Sequence, residues 1–328
     1  MNRHDAVLVL VALGTLPLAT LSQQPARVRR IGWLALGSAA DATSKLFLAA
    51  FRKGMAELKW VEGRDYVIDV RYANSNRQAV PSLADELVAS RPDVLIAPAD
   101  ASARVLMQRT KIVPIVFAIS VDPIGNGLVE SLQRPGGNVT GMTNQLHELG
   151  PKRLQLLKES FPGVTHVGVP YEPNDAASAG QARTVEAAAR TLGMRTTLIE
   201  LRQAADIEPA FERGASLGID AYLPVAGPLT VAQGQAIVDS VNRFKLPAIY
   251  VVDQLTIAGG LMSYGPNIPD NFRRAAGFVD KILKGDKPGD LPTQQPTQFE
   301  LVINMKTAKA LGLVIPPSIL LRADHVIN

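Results

Sequence analysis

The sequence predicts an α/β fold built as two doubly wound parallel-sheet lobes. Three observations predict it. The chain has 328 residues, too many for one average domain and enough for two. From residue 30 onward, short apolar runs alternate with single helix-like segments. The same strand grammar then recurs about 130 residues further on, which indicates two similar halves.

The first half reads as follows. Residues 31–36 form a short apolar run. Residues 44–59 carry Phe47, Phe51, Met55 and Leu58 at helical spacing. Residues 66–72 set Tyr66, Ile68, Val70 and Tyr72 on one face of a strand. Residues 83–90 are helical until Pro92 stops them. A buried strand at 94–97, a helix at 102–110 and a strand at 115–118 follow. Strands separated by single helices specify βαβ units and a parallel sheet. Pro135-Gly136-Gly137-Asn138-Val139-Thr140-Gly141 then stops regular structure and reads as a turn or linker. Its Asn138-Val139-Thr140 also matches a glycosylation sequon, a tripeptide common by chance.

The alternation restarts beyond it. Residues 152–161 form a helix with Leu154, Leu157 and Phe161 inward. Strand 164–169, helix 178–192, strand 196–201, helix 207–214, strand 221–225, helix 231–244 and strand 248–252 follow. The helix at 178–192 keeps Ala182, Val185, Ala189 and Leu192 on one stripe. Pro92-Asp93-Val94-Leu95-Ile96-Ala97 echoes Ile219-Asp220-Ala221-Tyr222-Leu223-Pro224, and Val113-Pro114-Ile115-Val116-Phe117 echoes Leu246-Pro247-Ala248-Ile249-Tyr250. The tail adds a strand and turn at 259–266, a helix at 270–284, a strand at 299–303 and a short helix at 307–311. It holds too few elements for a third domain, so it returns to complete the two lobes.

Composition narrows the function. Net charge is +4, from 34 basic and 30 acidic residues without runs. Nucleic-acid binding, which needs a concentrated basic field, is not expected. The absence of cysteine removes disulfides, thiolate metal sites, Cys nucleophiles and an N-terminal lipoprotein anchor. The chain opens with Arg3, an apolar stretch over 6–21 and a polar exit at 22–25, the pattern of a secretory signal over residues 1–22. The stretch is shorter than a membrane span and contains Pro17. No stable membrane insertion is expected after its removal.

Several segments carry a family resemblance. They are the Pro135–Gly141 motif, residues 259–266, Phe299-Glu300-Leu301-Val302-Ile303-Asn304 with Lys306 through Leu313, and Ile315-Pro316-Pro317-Ser318 through Asp324. Together they resemble the ABC transporter substrate-binding family that includes tryptophan- and tyrosine-binding importer proteins, over nearly the whole mature chain. The resemblance implies a type I periplasmic-binding fold, with lobes joined by a three-strand hinge near residues 141–144, 247–255 and 288–298. The N-terminal lobe would take residues 28–143 plus 256–290, and the C-terminal lobe 144–255 plus 291–328. It implies a periplasmic monomer that captures a small molecule, an amino acid or related metabolite, between its lobes and hands it to an ABC permease.

Ligands of open parallel sheets bind beyond the carboxyl ends of the strands. Helix N-termini there suit anions. In the first half this points to Ser38, Asp41 and Thr43, to Ala99 and Asp100, and to Ser120 and Asp122. Thr43 or Ser44 either holds ligand or caps its helix. Asp122-Pro123 is also a good helix-start pair. The first crossing adds Asn144. In the second half Tyr171, Glu172 and Asn174 follow one strand, Gly227-Pro228 another, and Asp253 the last. Tyr171 is suited to stack on a flat ligand, and Asp253 to pair with an ammonium. Family members often carry Arg-Glu-Phe where this chain has Val252-Asp253-Gln254, so the ligand is not transferable from the family.

An enzyme is the first rival reading. No phosphate loop or Gly-x-Gly-x-x-Gly follows the strands, and the Gly-x-Ser-x-Gly at 214–218 closes the helix read over 207–214, so no strand-to-helix elbow is present. His4, His147, His166 and His325 lack metal-ligand spacing. No catalysis, metal or cofactor is therefore expected. A sensory binding module, which reports occupancy to a receptor, is the second rival. It needs the same closure around a ligand.

Overall fold

The computed structural model describes residues 27–144 and 149–328. The expected signal segment and His147 lie outside the described residues. The first lobe runs β1 (Arg29–Ala35), α1 (Ala42–Glu57), β2 (Tyr66–Tyr72), α2 (Val80–Ala89), β3 (Val94–Ala97), α3 (Asp100–Arg109), β4 (Ile115–Phe117) and β5 (Val139–Gly141). All five strands are parallel, in the order β2-β1-β3-β4-β5. The buried runs of β3 and β4 have no polar face because helices cover both sides. Residues 139–141, expected as linker, are the edge strand of this sheet. Gly141 permits it: an added Cβ there would sit 2.0 Å from the Phe117 carbonyl oxygen on β4.

The second lobe runs α4 (Gly150–Ser160), β6 (His166–Tyr171), α5 (Ala176–Thr191), β7 (Arg195–Glu200), α6 (Ile207–Ser216), β8 (Ala221–Tyr222), α7 (Pro228–Ala232), α8 (Gly234–Arg243), β9 (Ile249–Tyr250), α9 (Asp253–Ile257) and β10 (Met262–Pro266). The chain then leaves for α10 (Ile268–Leu283) and comes back as β11 (Phe299–Asn304), α11 (Met305–Leu311), α12 (Pro317–Leu320) and β12 (His325–Ile327). The sheet pieces β7-β6-β8 and β9-β10-β11-β12 are linked by a bridge between Tyr222 and Ala248. Among the described residues only β10 and β11 pair antiparallel.

Helix α10 belongs to the first lobe. Its Phe272, Ala275, Ala276, Val279 and Leu283 recur at helical spacing and are buried against Phe51 and Met55 of α1 and Trp33 of β1. Phe272 stacks on Phe47 with ring centroids 4.2 Å apart and on Trp33 at 5.7 Å. On the other face of that sheet, Ala84 and Leu87 of α2 and Ala103 and Leu106 of α3 close a second core. The second sheet is covered in the same way, by α4 and α5 on one side and by α6 and α8 on the other.

The middle crossing falls later than the sequence suggests. Residues 256–266 were expected in the N-terminal lobe, yet Met262 and Ser263 pair with Ile249 and Tyr250, and Leu261 and Met262 lie in the second core. The chain changes lobe at Pro266-Asn267. Gly265 lets the end of β10 lie close against the chain leaving β9, since an added Cβ there would meet the Val251 carbonyl oxygen at 2.0 Å. The three crossings are hydrogen-bonded to one another. Thr143 N–H donates to Gln294 O at 2.9 Å, Gln294 N–H to Gly141 O at 3.0 Å, and Asn267 N–H to Gln298 O at 3.4 Å.

Candidate functional site

The carboxyl ends of the two sheets meet. Val121, beyond β4, packs on the pair formed by Ala226 beyond β8 and Val251 beyond β9, as does Val252. The expected binding residues fall on the loops around this contact, and the structure sorts them.

Those after β1 hold their own loop. Asp41 accepts the Ser38 N–H at 2.5 Å and the Ser38 hydroxyl at 2.7 Å. These bonds hold its carboxyl below the usual range. Asp41 occupies the N-cap position of α1 without capping it, and Thr43 and Ser44 lie inside the first helical turn, so neither is the cap. Asp122 is exposed and its Oδ1 accepts the Gly125 N–H at 2.8 Å, closing a turn.

After β3 and β4 the environment changes. Ala99 is the N-cap residue of α3, and its N–H reaches Ser102 Oγ at 3.3 Å. Asp100 opens the helix, where a carboxylate suits the dipole. Asn126 Nδ2 donates to its Oδ2 at 2.9 Å, while its Oδ1 is buried without a hydrogen-bond partner. Burial raises this carboxyl above the usual range, and Ser120, Arg104, Val121 and Asn126 offset that in part. Ser120 beside it is wholly buried. Its main chain bonds Met142 and Asn144, and its hydroxyl completes no hydrogen bond. Asn144 is buried at the first crossing and accepts Asn271 Nδ2 from α10 at 2.5 Å.

In the second lobe Tyr171 ends β6, half-buried on the core, with its hydroxyl donating to Glu200 at 3.3 Å. Asn174 is exposed. Gly227 is the N-cap residue of α7 and touches Glu172. Glu172 Oε1 accepts the N–H groups of Leu229 at 2.8 Å and Thr230 at 3.0 Å. The α7 N-terminus is thus filled from within the protein. Asp253 opens α9. Its Oδ1 is buried without a hydrogen-bond partner, as is the neighbouring Gln254 Nε2. Burial raises the Asp253 carboxyl too, against the lowering effects of nearby backbone N–H groups and His325.

Asp100, Ser120 and Asp253 therefore stand out as polar groups at the meeting of the lobes with unused hydrogen-bonding capacity. Sequence reading placed Glu172 after a strand without giving it a role, and did not single out Asn126, Gln181 or Asn271. Gln181 clamps the Ala226 peptide, donating to its carbonyl at 3.0 Å and accepting its N–H at 3.3 Å. A signal existed for it: it is a buried polar residue next to the apolar stripe of α5. Among the described residues no group of three or more His, Asp or Glu is placed to hold a metal. No helix of the described residues is long and apolar enough to cross a membrane.

Two doubly wound lobes meeting at their strand ends, with unpaired polar groups between them, define a two-lobed binding protein. A family model for ABC transporter substrate binding proteins matches residues 41–327, and the chain belongs to that family. It is the solute-binding component. Membership implies a small-molecule ligand, an ABC permease partner and an extracytoplasmic position. The chain is similar to a tyrosine-binding protein of Clostridioides difficile strain R20291, with 26% identity over 263 residues, 80% of this chain and 75% of the relative. The crystal structure of an ABC domain in complex with L-Trp from Streptococcus pneumoniae is similar at 27% identity and TM-score 0.80, covering 92% of this chain and 100% of that one. A conserved domain protein from Vibrio cholerae matches at 25% identity and TM-score 0.79, with the same 92% and 100% coverage.

Proposed function

We propose that this chain, exported through its first 22 residues, acts as a periplasmic monomer that captures an amino acid or related metabolite between its lobes and delivers it unchanged to the permease. The carrying observation is Asp253, whose buried Oδ1 has no partner at the start of α9. An unpaired buried carboxylate is costly, and a ligand ammonium is its natural partner. The tyrosine and L-Trp bound by similar proteins support an amino-acid ligand. Ser120, Asp100 and Gln254 complete a contact set drawn from both lobes. Ligand contacts on both lobes favour the closed form by differential affinity.

The test is calorimetry and thermal unfolding of the mature chain against the twenty amino acids and their amine derivatives. A true ligand at a hundredfold excess over its Kd should add about 2.7 kcal/mol of stability. Mass spectrometry should recover it unaltered, which separates carriage from turnover. D253N should abolish the shift. A flat response across the panel would defeat this reading.

A further inference from the structure

We propose that the interlobe site takes a ligand with two cationic nitrogen centres, a diamine or an amino acid with a basic side chain, held by Asp100 from one lobe and Asp253 from the other. This rests on the ligand-capture reading above and sharpens it, and it separates this chain from relatives whose bound ligands carry one ammonium.

Four observations carry the inference. First, each lobe offers one carboxylate at the start of a helix, and in each the Oδ1 atom is buried with no hydrogen-bond donor. A single ammonium satisfies one such oxygen and leaves the other Oδ1 without a donor, which is unfavourable. Second, the two groups converge on one contact. Asp253 directly follows Val252, Val252 and Val121 both pack on the Ala226–Val251 pair, and Ser120, next to Val121, lies beside Asp100. Third, the Ser120 hydroxyl is wholly buried beside the Asp100 carboxyl, and no N–H or O–H donates to its oxygen, so a third acceptor waits at the Asp100 end. Fourth, the protein's own cations do not fill the role. Arg104 and His325 act on these carboxylates only through space, and among the described residues no Lys or Arg hydrogen-bonds to either.

The donor inventory fits the same class. Gln254 Nε2 is the buried unpaired donor of α9, suited to one carbonyl or carboxylate oxygen of the ligand. The N–H groups at the start of α7 are already taken by Glu172. The site thus offers two anions and a hydroxyl against one amide donor, which complements a ligand rich in N–H and poor in negative charge.

The experiment is isothermal titration of the mature protein with 1,4-diaminobutane, lysine, ornithine and arginine on one side, and norleucine, tyrosine and tryptophan on the other. The tightest compound with two cationic nitrogen centres should bind about tenfold to a hundredfold tighter than the tightest with one, the worth of one hydrogen bond to a charged group. D100N should shrink that ratio by about tenfold or more, with folding of the variant checked by urea denaturation, whereas D253N should weaken both classes. Tighter binding of tyrosine, tryptophan or norleucine overturns the inference and leaves ligand capture standing. So does a ratio that D100N does not change in a folded variant. Failure of every compound to bind overturns both readings at once.

Discussion

Glu172 and Gly227 make a pair whose coupling can be measured. Glu172 Oε1 accepts two backbone N–H groups, from Leu229 at 2.8 Å and Thr230 at 3.0 Å. Hydrogen bonds to charged groups are worth about 1.5–3 kcal/mol each. Glu172 is half-exposed, so the low end applies, and E172A should cost about 2–3 kcal/mol. Gly227 lies directly under that carboxylate: an added Cβ would sit 2.2 Å from Oε1. Its φ of −166° is extended backbone that alanine accepts. G227A should therefore destabilise mainly by pushing Glu172 off the α7 N–H groups, at about 1–3 kcal/mol. In the E172A background the carboxylate is gone and the milder approach to Ser178 Oγ at 3.2 Å remains, so adding G227A should cost under about 1 kcal/mol. Urea denaturation of the two single variants and the double variant closes the cycle. The coupling energy should be most of the cost of G227A alone. Costs that add to within about 0.5 kcal/mol would refute the idea that Glu172 is the internal anion of this helix.

Two further outcomes follow from burial. Asp100 and Asp253 bind a proton more readily folded than unfolded, because burial raises both carboxyls above their ordinary value of 3.8. The ligand-free protein should lose the stability these groups contribute as pH rises from 3.8 through their raised values. D100N and D253N should accordingly be more stable than the parent at pH 7, on the order of 1 kcal/mol each, with the advantage vanishing toward pH 4 in thermal melts. Phe272 is wholly buried between Trp33 and Phe47. F272A should cost about 3–5 kcal/mol, and near-ultraviolet circular dichroism should show the Trp33 environment collapsing first.

The alternation of strands and helices was legible because it depends on local periodicity. Phe51 and Met55 on α1, or Ala182, Val185 and Ala189 on α5, mark their buried faces without knowledge of any partner. What sequence hid were choices made between distant segments. β10 reads as a Gly-rich return, and nothing local says that Met262 pairs with Ile249 on one side and Ile303 on the other. β5 hides in a Pro-Gly motif because its strand character comes from pairing with β4. The site shows the same division. Residues after strands could be nominated by position, but whether each was already spent could not. Asp41 turns back on Ser38, Asp122 on Gly125 and Asn144 on Asn271. Asp100 and Asp253 keep a free buried oxygen each. Glu172 could be named by position, but its role was hidden because its partners lie 57 and 58 residues away.

The crossings at residues 141–144, 266–267 and 294–298 are laced edge to edge by main-chain bonds. They form a narrow ribbon in place of three independent tethers. A ribbon flexes about one line and resists shear and twist, so the lobes should open and shut along a single arc. Redundancy follows as well. A protease that nicks one strand of the ribbon leaves two covalent spans and the cross-bonds intact. Such a nicked protein should migrate as two fragments in denaturant yet still clasp its ligand in native buffer.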